Sequence, residues 1–261
     1  LVVVDERAWQ AALNIDNTGT DATGRTHVSA SLQHANLFGR DHVGSIQYTT
    51  TAENPDQVAV YGMGYHMPLY ALGDSIDLYA NYSDVDSGVV TAGIFDLAVS
   101  GRGTVFGGRY NQVLDRRGEY AHRIVYGFDY KAFKNSVLLA GTNFGNDVTV
   151  HPLSVGYVGT IPTATGEVGF SATWSHNIPG GSRGGDRAFA VARVGADPSY
   201  DVLRLSASAS HALAGSLQGW QARVVANAQL TSDALVPGEQ FGAGGSASVR
   251  GFGEREVSAD A

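Results

Sequence analysis

The chain has 261 residues, a formal charge of -8 and a sequence pI near 5.4. That length can bury a full core, but a chain this acidic carries no basic stripe to displace counterions from phosphates, which excludes nucleic acid as a partner. Gly occurs 34 times, aromatic residues reach 10%, Cys is absent, and Lys131 and Lys134 are the only lysines. This profile suits a glycine- and aromatic-rich sheet and removes disulfides, thiolate metal sites and thiol catalysis together.

Leu1-Val2-Val3-Val4 is followed at once by Asp5-Glu6-Arg7. Without a basic leader, a sufficient apolar stretch or Met, this start is not read as a signal peptide, and the chain is expected to be a fragment or a processed product. No apolar run approaches the ~20 residues that a membrane-spanning helix needs. Any membrane crossing must therefore be made by strands, whose residues face lipid and lumen in turn for roughly 9–11 positions between turns.

Such alternation begins at Trp9, where Trp9, Ala11, Leu13 and Ile15 form one face and Gln10, Asn14 and Asp16 the other. From Ile76 the apolar face is Ile76, Leu78, Ala80 and Tyr82, opposed by Asp77, Tyr79 and Asn81. Asp84-Val85-Asp86-Ser87-Gly88 lacks the third acidic position and the closing Glu of a calcium loop, so it reads as a polar loop. Further on, Ile124, Tyr126, Phe128 and Tyr130 oppose Arg123, Asp129 and Lys131. Gly180-Gly181-Ser182-Arg183-Gly184-Gly185 lacks the Gly-Lys-Ser/Thr of a phosphate loop, and with no predicted helix after it, it reads as a flexible loop. Leu203, Leu205, Ala207 and Ala209 then oppose Arg204, Ser206, Ser208 and Ser210, and Ala222, Val224, Ala226, Ala228 and Leu230 oppose Gln221, Arg223, Asn227 and Gln229.

The polar face recurs with the same character throughout, and it wants water. A soluble β-sandwich also alternates, but its apolar face needs large aliphatics to fill a dry core. The Ala, Gly, Leu and Tyr of this face suit lipid contact better.

Short turns are predicted at Leu37–Asp41, Leu69–Asp74, Asp115–Gly118, Pro162–Gly166 and Ala212–Gly219. Between them fall long loops at Asn17–Gly24, Thr51–Gln57, Asp84–Gly103, Lys134–Val148, Asn177–Ser199 and from Ser232 onward. Strict alternation of short and long connections is the habit of a membrane barrel. The partition gives eleven strands, an odd number that cannot close a single-chain antiparallel barrel, so further strands are expected in the parent protein. The expected fold is thus all-β, an antiparallel transmembrane β-barrel that is incomplete here.

The eight histidines show no ligand spacing for a metal, and no GxSxG elbow marks a nucleophile. The chain is expected to be no enzyme, to need no cofactor and to take no small-molecule substrate.

Asn14-Ile15-Asp16-Asn17-Thr18-Gly19, followed by Thr23-Gly24-Arg25, resembles the first barrel hairpin of two-partner secretion transporters. Glu239-Gln240-Phe241, Gly244-Gly245 and Val249-Arg250-Gly251-Phe252 with Glu254 resemble the EQF, GG and VRGF signature of the same family. The family belongs to the haemolysin secretion/activation proteins, within the barrel-assembly superfamily of the outer membrane.

The resemblance implies a sixteen-stranded barrel of which about eleven strands are present. Residues 1–8 would end a periplasmic domain or linker, 9–231 would hold the barrel strands, and 232–261 would be a truncated re-entrant extracellular loop. The implied function is export of a large unfolded partner, of adhesin or haemolysin type, across the lipid bilayer of the bacterial outer membrane. Val249, Arg250, Gly251, Phe252 and Glu254 would form the loop tip, with Arg250 meeting an acidic residue on a later strand, and Arg123, Asp129, Arg204 and Arg223 would face a hydrated pore. A barrel-assembly insertase, a passive porin and a soluble binding module stay open as alternatives.

Overall fold

Alternating segments closed by residues that tolerate left-handed backbone fold naturally into consecutive antiparallel hairpins. The computed structural model describes residues 7–17, 19, 24–56, 58–84, 90–92, 95–99, 103–134, 138–139, 142–143, 147–244 and 257–261. Its main sheet is a meander of β1 (Trp9–Asp16), β2 (His27–Leu37), β3 (His42–Thr51), β4 (Val60–Leu69), β5 (Asp74–Ser83), β6 (Gly103–Val113), β7 (Ala121–Phe133), β8 (Pro152–Thr163), β9 (Gly166–Asn177), β10 (Asp201–Ala212) and β11 (Gln221–Leu230). Each strand pairs antiparallel with the next, and Val148–Val150 prolongs the β8 edge along β7. Among the described residues, β1 and β11 pair on one side only, so the sheet is open between them.

The connections fall where the alternation ends. Connections of two to eight residues join β2 to β3, β4 to β5, β6 to β7, β8 to β9 and β10 to β11, and those at the other end of the strands have eight residues or more. Gly73 and Gly118 take φ of 75° and 63° in two of the short turns, a left-handed conformation in which any Cβ is strained. Small antiparallel pairs, Val90–Ala92 with Phe95–Val99 and Leu138–Leu139 with Thr142–Asn143, lie within two of the long connections.

The register sorts the side chains into two unlike faces. Along β7, Phe128 is 44% exposed while its neighbour Asp129 is 6% exposed. Leu78, Met63, Tyr126, Val155 and Trp174 share the exposed side with Phe128, whereas Tyr79, Asn81 and Gln229 are buried on the side of Asp129. A β-sandwich would cover its apolar face with a second sheet, and here the apolar face is the outer one. That arrangement belongs to a barrel wall in lipid, where the surrounding solvent is hydrocarbon and the enclosed space is wet. No helix among the described residues is long and apolar enough to cross a membrane.

A dry core does form at the long-connection end. Val148, Val150, Phe189, Tyr200, Val202, Leu235 and Val236 are buried together, with Phe133 and Ala192 packed against them. The connection between β9 and β10 carries α1 (Asp186–Ala192) immediately after the glycine run. The expectation of a flexible loop without a helix is corrected here: Phe189, fully buried, anchors the helix in this core, and Arg183 pairs with Asp147 at 2.7 Å across two connections. Burial of one such side chain outweighs the weak helical tendency of so short a segment.

Candidate functional site

The inner face of β5 to β11 and the segment after β11 enclose a cavity of about 730 Å³. Its wall mixes polar and apolar groups and carries a ladder of charges. On β6, Arg109 grips Asp129 of β7 with two hydrogen bonds, Nη1 to Oδ1 and Nη2 to Oδ2, both 2.9 Å. Tyr79 of β5 donates its hydroxyl to the same carboxylate, and the Arg109 guanidinium lies 5.2 Å from the centre of the Tyr79 ring. A planar fork on a carboxylate is the strongest pairing the side chains offer, and the aromatic face adds to it.

Glycines make room for this group. A Cβ on Gly107 would lie 2.5 Å from the carbonyl oxygen of Phe128 and 2.7 Å from the Tyr79 hydroxyl. One on Gly127 would meet the Arg109 guanidinium at 2.9 Å.

Closer to the long-connection end, the chain leaves β11 and turns through a single helical turn at Pro237–Glu239. This turn brings Glu239, only 3% exposed, against the wall. Lys131 Nζ donates to Glu239 Oε1 at 2.8 Å, and Arg204 Nη2 donates to Oε2 at 3.1 Å. Gln229 Nε2 donates to the Glu239 carbonyl oxygen at 3.2 Å, while Arg204 Nε donates to Gln229 Oε1 at 2.9 Å. Burial pushes the Glu239 carboxyl up, but the charges and hydrogen bonds of Lys131 and Arg204 outweigh it and hold the group below its ordinary range.

Beyond Glu239, Phe241–Ala243 pairs antiparallel with Val257–Ala259, so an outgoing and a returning leg run side by side. Phe241 and Gly242 line the cavity. Asp260 closes the structure: its carboxylate accepts from Arg193, from Gln240 Nε2 at 3.0 Å and from the Leu235 amide at 3.2 Å. Its carbonyl oxygen accepts from Gln229 Nε2 at 2.8 Å. The Arg193 hydrogen bond is the chief reason that the Asp260 carboxyl stands below its ordinary range.

Of the residues that the sequence proposes for a pore, Arg123, Asp129 and Arg204 line the cavity. Asp129 and Arg204 are engaged in the pairs above. Arg223 shares the polar face with Asn227 and Gln229 but lies at the short-turn end, exposed and outside the cavity lining. Val249, Arg250, Gly251, Phe252 and Glu254 lie outside the described residues. Sequence reasoning assigned no role to Arg109, Glu239 or Asp260. Glu239 stood in the EQF run, and a carboxylate in a glycine- and proline-bounded turn was the available signal. Among the described residues, no group of three or more His, Cys, Asp or Glu could hold a metal ion.

A one-sheet meander with an apolar outer face, charged groups on its inner face and a two-legged segment seated against that inner face defines a wall of a transmembrane β-barrel. The family model described as "Haemolysin secretion/activation protein ShlB/FhaC/HecB" matches residues 1–261, and the chain belongs to that family. The family is one of outer-membrane β-barrel transporters, not enzymes, and its place is the bacterial outer membrane. Seventeen chains of solved structures match. Among them is CdiB from Escherichia coli, with a TM-score of 0.73 and 20% identity, covering 99% of this chain and 47% of that one. The chain therefore spans about half the length of CdiB (47%) and shares its fold. No curated protein matches.

Proposed function

We propose that the parent protein exports a large unfolded partner, of adhesin or haemolysin type, through the barrel to which β1–β11 contribute. The observation that carries this reading is the charge-lined cavity between the inner wall and the two-legged segment after β11. A wet, charged wall can hydrate the backbone of an extended chain, whose peptide groups would be costly to bare to lipid. The loop legs occupy space that a passing chain needs, so transport requires them to shift. Folding of the partner outside the cell supplies direction, because a folded product cannot return through the passage.

In this reading the long connections face the exterior, residues 1–8 lead in from the periplasmic side, 9–231 form barrel wall, and 232–261 form the re-entrant loop with Arg250 at its tip. Arg123 and Arg223 stand towards the periplasmic mouth, where an unfolded chain would first meet the wall. The partners are the exported protein and the lipid bilayer.

The test is deletion of the parent gene in its host, with the secreted proteins and the unrelated outer-membrane barrels both quantified. Loss of one or two large secreted proteins with other barrels unchanged is the expected result. A general fall in other barrels would replace this reading with that of an assembly insertase, and no change in either would replace it with a passive porin.

A further inference from the structure

The Glu239 carboxylate is the most completely enclosed acid of the molecule's described residues, its side chain 1% exposed, and it is reached by cations from two strands that are not neighbours. Lys131 lies on β7 and Arg204 on β10, with β8 and β9 between them along the wall. A group that grips both must lie across the concave face, and Gln229 on β11 adds a third strand through the Glu239 backbone. Nothing in barrel construction calls for this contact, because the strands are already held by their own ladders.

What the contact fixes is the depth and lateral position of the outgoing leg, Phe241–Ala243, which starts two residues later. We propose that Glu239 is a positioning residue for transport: Lys131 and Arg204 hold it so that the loop leg rests against the wall and keeps the passage narrow until a partner chain displaces it.

The energetics support a latch over a permanent rivet. A carboxylate with two charge-assisted hydrogen bonds is well compensated in place. Its cations already border an aqueous cavity, so water can replace the carboxylate on both when the leg swings out. A fully dry pair would lack that route.

The inference rests on the transport reading, and its test separates the two. In the full-length parent, Ala243→Cys supplies a cysteine on the loop leg, in a stretch with no cysteine of its own. Its labelling by a membrane-impermeant maleimide is compared in cells, alongside single-channel recordings in planar bilayers. Glu239→Gln should raise both the labelling rate and the open fraction by about tenfold, as loss of a charge-assisted pair implies. Lys131→Met should give a smaller rise, and Lys131→Met combined with Glu239→Gln should add little to Glu239→Gln alone, because both act through one contact. Arg204→Lys should retain low labelling where Arg204→Met does not.

Heat-modifiable gel mobility identifies variants whose barrels are folded, and only those are compared. Unchanged labelling and conductance in folded Glu239→Gln, or fully additive effects in the double variant, would overturn the latch. Raised labelling in Glu239→Gln, together with unchanged secretion when the parent gene is deleted, would leave the latch standing and overturn the transport reading.

Discussion

Lys131 Nζ lies 2.8 Å from Glu239 Oε1, a contact between residues 108 apart in the chain. Asp260 repeats the device on the returning leg at the same base of the stem, where Arg193 and Gln240 converge on its carboxylate. Both legs of the two-stranded stem that follows β11 are therefore fastened at its base, and both fastenings are carboxylates.

Acid should loosen them. The carboxyls of Glu239 and Asp260 stand below their ordinary ranges, so each contributes stability that is complete above the unfolded value and is lost as pH falls through the folded one. Hydrogen exchange of residues 232–244 in the full-length protein, taken relative to the intrinsic amide rate at each pH, should be flat from neutral pH down to about 5 and should rise below about 4, where both groups take up protons. Exchange that rises between pH 8 and 6 instead would assign control to a histidine.

Gly107→Ala should damage the wall itself. Its Cβ would press on the Phe128 carbonyl, which belongs to the backbone and cannot swing aside, and on the Tyr79 hydroxyl. Overpacking of this kind costs about 1–3 kcal/mol. The expected outcome is a lower midpoint in urea unfolding from bilayers. An unchanged midpoint would mean that β6 and β7 yield easily at this point.

Phe189→Ala should melt the outer cap and spare the barrel. The side chain is fully buried among Val148, Val150, Tyr200 and Leu235, and its removal costs roughly 3–5 kcal/mol locally. Protease added to whole cells should then cut within residues 178–200, while heat-modifiable mobility is retained.

The two faces should respond oppositely to a charge. Val155, 44% exposed on the outer face, sits one strand from Thr173 of the cavity lining. Val155→Arg should cost about 2–4 kcal/mol and reduce assembled barrel, as arginine does near the middle of a bilayer. Thr173→Arg should assemble normally and alter conductance. Equal tolerance at both positions would contradict the assignment of faces.

Most of the wall was legible because its physics has period two. Ile76, Leu78, Ala80 and Tyr82 against Asp77, Tyr79 and Asn81 repeat in register with Tyr126 and Phe128 against Asp129, and the short turns fall where that alternation stops. The inward turn of Asp129 was equally plain, yet its partner Arg109 was not, since Arg109 follows two glycines that show no alternation. Glu239 escaped for another reason: its cations lie on strands far away in sequence, and no local pattern records such a pairing. Helix α1 was missed because seven residues after a glycine run carry too little periodicity, and a single buried Phe189 decides the matter. The VRGF segment, the most specific feature of the sequence, lies outside the described residues.

The central claim, that an exported chain passes along the inner wall, is tested most directly by cross-linking at adjacent positions of opposite face. Ser206 lines the cavity and Ala207 points outward on the same strand, β10. With a partner protein stalled in transit by a folded domain at its trailing end and carrying single cysteines, Ser206→Cys should form a disulfide with it and Ala207→Cys should not. Cross-links at Ala207 alone, or at neither position while secretion remains blocked, would contradict passage through the barrel.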